Sequence, residues 1–225
     1  MIEQKKLQDA QYKALQASIN PHFLYNALNT IRWLAVIQKA DNIKLVAETL
    51  SRLLRSTVKQ DPASHCIRTE LQTLKDYLFI QQLAYSHRFS IQWDLAEEVE
   101  SCPCIPFILQ PLAENSIFHG LMPKKTAGTI RITTRKITWM GQEAAEIEIW
   151  DNGDGIPPEK ISSVLSSQDL NKYGLNGIGV SNVNERLILS YGNSFGLQID
   201  SDGHSYTSVT VHVPFDLPVP SNEQN

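Results

Sequence analysis

Four short runs in this chain carry side chains suited to phosphoryl chemistry. In Asn20-Pro21-His22-Phe23-Leu24-Tyr25-Asn26 a histidine stands beside a proline within a strongly periodic stretch. Imidazole titrates near neutrality, so at pH 7 it offers an unprotonated nitrogen able to attack phosphorus. Glu114-Asn115, Asp151-Asn152-Gly153-Asp154-Gly155 and Gly177-Ile178-Gly179 follow in that order. The amide oxygen of Asn115 is a hard donor suited to Mg²⁺, which takes most of its shell from waters, phosphates and a few protein oxygens. At the end of a strand, the Asp151 carboxylate can accept a hydrogen bond from an exocyclic amine. Gly153 and Gly155 let the backbone turn at positive φ and approach a flat base closely. Gly177 and Gly179, opening a helix, leave backbone N–H groups free for phosphate oxygens.

Taken singly, each run also has a plainer reading. Most histidines on a helix are solvated, an asparagine in a helix is usually structural, and Asp-x-Gly-x-Gly is most often a turn. As a calcium loop the Asp151 run lacks the remaining ligands.

The elements around these runs can be read from hydrophobic spacing. Leu7, Ala10, Ala14, Ala17, Pro21, Leu24, Leu28, Ile31 and Ala35 recur in steps of three and four, and Ile43, Val46, Leu50, Leu53 and Thr57 repeat the pattern. Both are heptad seams, and Asp41-Asn42 between them reads as a turn and helix N-cap. His22 and Asn26, four residues apart, share a helix face, and Pro21 should kink the helix because it cannot donate to the Ala17 carbonyl. Two helices cannot enclose a core alone, so this hairpin is expected to pair with a second copy in a four-helix bundle. The first seam begins almost at residue 1 without a cap, which suggests a helix continuing upstream and a chain that is a fragment.

Around Gln60-Asp61-Pro62-Ala63-Ser64 the composition turns to breakers, which places a boundary between residues 1–60 and 61–217. Beyond it the spacing predicts a helix from Thr69, as N-cap, to about Ser86, and a strand near Phe89 to Leu95. A helix from Pro106 to His119, ended by Gly120, carries Glu114 and Asn115. Strands are expected over Thr129 to Thr138 and Glu146 to Trp150, with Ile130, Ile132, Ile147 and Ile149 on the covered face. A helix over Gly177 to Tyr191, closed by Gly192, precedes strands at Gly196 to Asp200 and Tyr206 to Phe215 that meet at a turn containing Asp202-Gly203. The expected fold is α+β: a helical hairpin, then a sandwich of one mixed sheet with helices on one face. Residues 218–225 are polar and expected to be disordered. The polar stretch Ser162 to Asn176, with Lys172 and Gly174, could be a lid over a nucleotide, and a plain surface loop fits its composition equally.

A net charge of −4 and pI near 5.9 give no electrostatic footprint for nucleic acid. Three cysteines, Cys66, Cys102 and Cys104, support neither a disulfide framework nor a zinc site and read as free thiols in a reducing cytosol. No apolar run approaches the roughly 20 residues that span a bilayer, so the chain reads as soluble, without direct membrane contact.

The run Gln16-Ala17-Ser18-Ile19-Asn20-Pro21-His22-Phe23-Leu24-Tyr25-Asn26-Ala27-Leu28-Asn29 resembles the phosphoacceptor helix of the LytS/YesM-type sensor histidine kinases. The resemblance implies that His22 receives the phosphoryl group. Asn26 falls where related kinases carry a Thr or Asn that orients water for dephosphorylating the partner. Leu109 to Gly120 resembles the N box of the GHKL ATPases, with Glu114 beside an Asn115 that binds Mg²⁺. Asp151-Asn152-Gly153-Asp154-Gly155 resembles the G1 box, which assigns Asp151 to the adenine amino group and Gly153 and Gly155 to the pocket. Gly177 to Val183 resembles the G2 box, which holds the triphosphate, and Thr207 lies near a position where the fold often has an adenine-side Thr.

Two residues depart from the wider pattern. Most histidine kinases have an acidic residue directly after the histidine, where this chain has Phe23, so the general base is open. Many have Lys or Arg where this chain has Phe118, which shifts phosphate contact to His119 or to Lys172 in the lid. Together these matches imply a GHKL-type (Bergerat) ATP-binding domain, ATP and Mg²⁺ as ligands, a homodimer, and transfer from His22 to an aspartate of a response regulator receiver domain. They also imply an upstream membrane sensor, making this chain its cytoplasmic portion. Competing readings are a GHKL ATPase that drives a conformational clamp, and a dimeric signalling scaffold with a degenerate nucleotide site.

Overall fold

The computed structural model describes residues 21–58, 64–124, 126–165 and 177–216. The chain divides into two compact units, Met1–Lys59 and Gln60–Asn225. The first holds α1 (Pro21–Ile37) and α2 (Asp41–Val58). They pack antiparallel: the Arg55 guanidinium lies 6.0 Å over the Tyr25 ring and Arg32 is 4.0 Å from Glu48. Ala35, Ala47 and Thr49 are buried where the helices meet. The turn falls at Gln38–Lys39, with Lys39 at φ +55°, so Asp41 and Asn42 lie inside the first turn of α2 rather than capping it. There the Asp41 carboxylate still complements the positive end of the helix. The expected kink at Pro21 and the seam from Leu7 to Ala17 lie outside the described residues.

The second unit runs α3 (Ile67–Ala84), β1 (Phe89–Asp94), α4 (Gln110–Asn115), a π-helical turn (Ser116–Leu121), β2 (Gly128–Trp139) and β3 (Gln142–Asp151). It ends with α5 (Pro158–Leu165), α6 (Gly177–Tyr191), β4 (Gln198–Ser201) and β5 (Thr207–Pro214). The strands form one mixed sheet in the order β1-β2-β3-β5-β4, parallel only between β1 and β2. Strand alternation puts Ile130, Ile132, Ile147, Ile149, Val209, Val211 and Val213 on one face, where none is more than 1% exposed. Leu71, Leu74 and Leu78 of α3, Leu112 of α4 and Val183 and Leu187 of α6 complete this core. Full burial of each such aliphatic side chain is worth about 1.5–3 kcal/mol. The opposite face is lined by polar and aromatic groups. Arg131 lies 4.6 Å over the Trp150 ring, and Ser208 donates to Glu148 at 2.6 Å. The turn from β2 to β3 has Met140 at φ +50° and Gly141 at φ +81°, the left-handed pair of a two-residue hairpin loop.

Three helix boundaries differ from the sequence reading. Helix α3 starts at Ile67, with Cys66 rather than Thr69 at the cap position. Its first amides need no side-chain cap, because Ile67 N–H bonds the Cys102 carbonyl (3.0 Å) and Arg68 N–H the Glu100 carbonyl (2.9 Å). Helix α4 starts at Gln110 instead of Pro106, and Phe107 before it sits at φ +57°. Gly120 does not end a helix: it lies within the π turn, where Met122 N–H reaches back five residues to the Ile117 carbonyl (2.8 Å). Gly192, at φ +97°, does close α6. All three cysteines are free thiols, and burial pushes Cys102 up to about 11.

Candidate functional site

Strand β3 ends by turning the Asp151 side chain into the core side of the sheet, between Ile130 of β2 and Thr207 of β5, its register partners. Asp151 is 1% exposed and Thr207 3%. Gly153 N–H donates to Asp151 Oδ1 at 2.9 Å, a short turn that engages one oxygen of the carboxylate. Burial pushes this carboxyl up to about 6, against the Ser116 hydroxyl, the Gly153 N–H and the Lys124 ammonium, which pull it down. The buried Ser116 Oγ lies beside the carboxylate without a hydrogen bond of full geometry. Lys124 is tied to the Asn152 carbonyl, and the Asn152 side chain accepts from Thr129 N–H at 2.7 Å, which fixes the strand end from both sides.

The glycines meet here because nothing larger fits. A Cβ on Gly120 would stand 2.5 Å from Asp151 Oδ1, and one on Gly153 would stand 2.4 Å from Gly120 Cα. Gly155, at φ +73°, is pressed against Gly203 and His204 of the β4–β5 turn. That turn is organised by Asp202, whose carboxylate accepts N–H bonds from His204 and Ser205 and is held well below the usual range by Ser205.

Glu114 and Asn115 close α4, directly before the π turn that carries Ser116 and Gly120 to Asp151. Glu114 accepts from Gln110 Nε2 (2.9 Å), and the Tyr77 hydroxyl of α3 lies beside it, its own ionisation pushed upward by burial and by Glu114. Asn115 is half-buried, so its amide keeps a solvent-facing side. Among the described residues no group of three or more His, Cys, Asp or Glu could hold a metal by itself. A cation at Asn115 would therefore draw its shell from phosphate oxygens and water. Phe118 packs edge-on against Tyr85 (ring centroids 6.2 Å apart), whereas His119 is exposed. Gly177 and Gly179 lie in the first turn of α6, and a Cβ on Gly179 would come within 3.4 Å of Pro111 of α4.

Asp151, Gly153, Gly155, Thr207, Glu114, Asn115, Gly177 and Gly179 are thus carried by neighbouring elements of the second unit. Lys172 lies outside the described residues. His22 and Asn26 belong to the first unit, on one exposed face of α1, with Asn26 Nδ2 3.3 Å from His22 Nδ1.

The sequence reading missed Glu70, Tyr77, Lys124 and Arg186. Glu70 is 3% exposed and accepts N–H bonds from Phe107 (2.8 Å), Ile108 (2.9 Å) and Leu109 (3.2 Å), with His65 Nε2 also at 2.7 Å. Arg186 of α6 donates to the carbonyls of Phe107 (3.2 Å) and Pro106. A signal was present for Glu70: with Leu74 and Tyr77 it occupies positions i, i+4 and i+7, a charge on the apolar stripe of α3.

Two family models match the chain. One, described as histidine kinase, covers residues 10–89; the other, described as histidine kinase-, DNA gyrase B-, and HSP90-like ATPase, covers residues 106–217. The chain is 33% identical over 208 residues to the sensor histidine kinase YesM of Bacillus subtilis, covering 92% of this chain and 34% of YesM. It is 34% identical over 207 residues to the sensor histidine kinase YpdA of Escherichia coli K12, covering 91% of this chain and 34% of YpdA. YwpD of Bacillus subtilis is 31% identical over 201 residues, covering 88% of this chain and 69% of YwpD. The chain spans about a third of the length of the first two relatives.

Proposed function

The chain belongs to the LytS/YesM-type histidine kinases, and from that premise we propose that it phosphorylates itself on His22 with ATP and passes the phosphoryl group to an aspartate of a response regulator receiver domain. The observation that carries this reading is the Asp151 corner: a buried carboxylate held at one oxygen by Gly153 N–H and walled by two glycines that admit no Cβ. A planar base with an exocyclic amine fits that description.

In this reading Asp151 accepts the adenine amino group, Gly153 and Gly155 shape the pocket and Thr207 borders it. Asn115 would hold Mg²⁺, and Glu114, held by Gln110, flanks it on the same turn. The first-turn N–H groups at Gly177 and Gly179 are suited to the phosphates, and His119 or Lys172 is the candidate for a further phosphate contact. Bound ATP and Mg²⁺ supply the phosphoryl group and the charge neutralisation that loose phosphoryl transfer requires. An imidazole nitrogen of His22 forms the N–P bond as ADP leaves, and the ring then loses its remaining proton. Phe23 offers no base, and the exposed ring can release that proton to water. Asn26, an amide 3.3 Å from that ring, is suited to orient a water for dephosphorylating the regulator. The hairpin of residues 1–60 dimerises and carries the phosphoacceptor, residues 61–217 bind ATP, and 218–225 form a tail. Among the described residues no helix is long and apolar enough to cross a membrane. We place the chain as the cytoplasmic portion of a longer membrane-bound sensor.

The test is incubation of wild type and His22→Gln with γ-labelled ATP and Mg²⁺, followed by acid and base treatment. The expected result is an acid-labile, base-stable label that is absent from the variant. ATP binding or hydrolysis without label would favour a clamp ATPase or a degenerate scaffold instead.

A further inference from the structure

We propose that Glu70 of α3 is a positioning residue for nucleotide-bound metal, setting where α4 presents Asn115; this rests on the assignment of Asn115 to Mg²⁺ above. The backbone before α4 is unusual. Phe107 adopts φ +57°, a left-handed conformation that is unfavourable for a bulky residue and persists only where the surroundings over-determine it. Here they do. Glu70 takes three successive N–H groups, at 107, 108 and 109, with its two oxygens. From the other side Arg186 takes the carbonyls of residues 106 and 107, and the Tyr191 hydroxyl accepts from Ile105 N–H at 2.8 Å.

The segment therefore has both its donors and its acceptors held, by α3 and α6, one residue before α4 begins. Helix α4 is six residues long, under two turns, so the orientation fixed at Leu109 is the orientation inherited by Asn115. Two turns along α3 from Glu70, the Tyr77 hydroxyl lies beside Glu114 at the other end of α4. One face of α3 thus grips the segment that leads into α4 and flanks the helix at its far end. The adenine corner has anchors of its own: Gly153 N–H and the sheet partners hold Asp151 at the end of β3, and Asp154 N–H bonds the Gly120 carbonyl at 3.3 Å.

The separation gives the test. Affinity for a fluorescent ATP analogue is measured on the full chain with excess EDTA and across a Mg²⁺ titration, for wild type, Glu70→Gln, Glu70→Asp and Asn115→Ala. Glu70→Gln replaces one acceptor oxygen with an NH₂ that confronts backbone N–H, and Glu70→Asp keeps the charge and withdraws it by one carbon. The expected result is a metal-free affinity within about twofold of wild type for both. The Mg²⁺ concentration for half-maximal effect should rise about five- to tenfold, the equivalent of one net hydrogen bond. A residue that merely stabilised the fold would lower both affinities together or neither.

Should Glu70→Gln fail to fold, Glu70→Asp alone decides: an unchanged Mg²⁺ midpoint in it overturns the proposal. If Asn115→Ala also leaves the midpoint unchanged, the metal assignment itself has failed. If only Asn115→Ala shifts it, that assignment stands and the positioning role does not.

Discussion

At the scale of single residues, Asp151 sets stability against binding. Its carboxyl titrates near 6 in the folded chain and near 3.8 when solvated, so between those values the folded state holds the extra proton. The contribution of this group to stability is fully present below about pH 3.8 and is lost as pH rises through about 6. Displacement of that size corresponds to up to about 3 kcal/mol. Asp151→Asn should therefore stabilise the ligand-free protein at pH 8 and do little at pH 4, as read from urea midpoints at the two pH values. The same variant should lose nucleotide binding. Gly153 N–H needs the oxygen, so the amide NH₂ must face the ligand's own donor. Equal midpoints at pH 8 would contradict the burial argument. Asp151 was legible in sequence because glycines flank it at fixed spacing. Lys124 was not, since its tie to Asn152 depends on a turn that brings residues 28 positions apart together.

At the scale of elements, period-two and period-3.6 patterns located the strands and helices, because burial of one face is written into alternate residues. The boundaries of α3 and α4 were not written locally. The first amides of α3 are satisfied by the Cys102 and Glu100 carbonyls, and those leading into α4 by Glu70, partners 32 to 39 positions distant, so no neighbouring Ser, Thr or Asp marks the start. The π turn was equally hidden, and its position is explained by what it must touch. Widening the helix at Ser116–Leu121 lays Gly120 flat against the end of β3, where Asp151 Oδ1 takes the space of a methyl group. Gly120→Ala should cost about 1–3 kcal/mol in a urea melt, since neither the sheet nor the turn can yield freely. Nucleotide affinity should fall in parallel. Full stability and full affinity would show that the contact relaxes cheaply.

At the scale of the whole molecule, the first unit leaves large apolar groups in water: Ile31 is 45% exposed, Trp33 59%, Leu34 52% and Ile37 75%. A hairpin cannot bury both faces of its helices, and a patch of this kind marks an interaction surface. Sedimentation of the 25.3 kDa chain should give twice that mass. The double variant Ile31→Glu, Leu34→Glu should sediment as a monomer that still binds ATP. A monomeric wild type at tens of micromolar would exclude the four-helix bundle. Within the second unit, the Met140-Gly141 loop joins β2 to β3 with two residues, and from it the pairing runs unbroken to Ile130 opposite Asp151. A loop that short closes at small entropic cost and on a microsecond timescale, whereas β1 joins β2 across the whole of α4. The expected order of assembly follows: the β2–β3 hairpin sets the strand end that carries Asp151, with Gly153 beside it, and Gly120 is laid against the carboxylate afterwards.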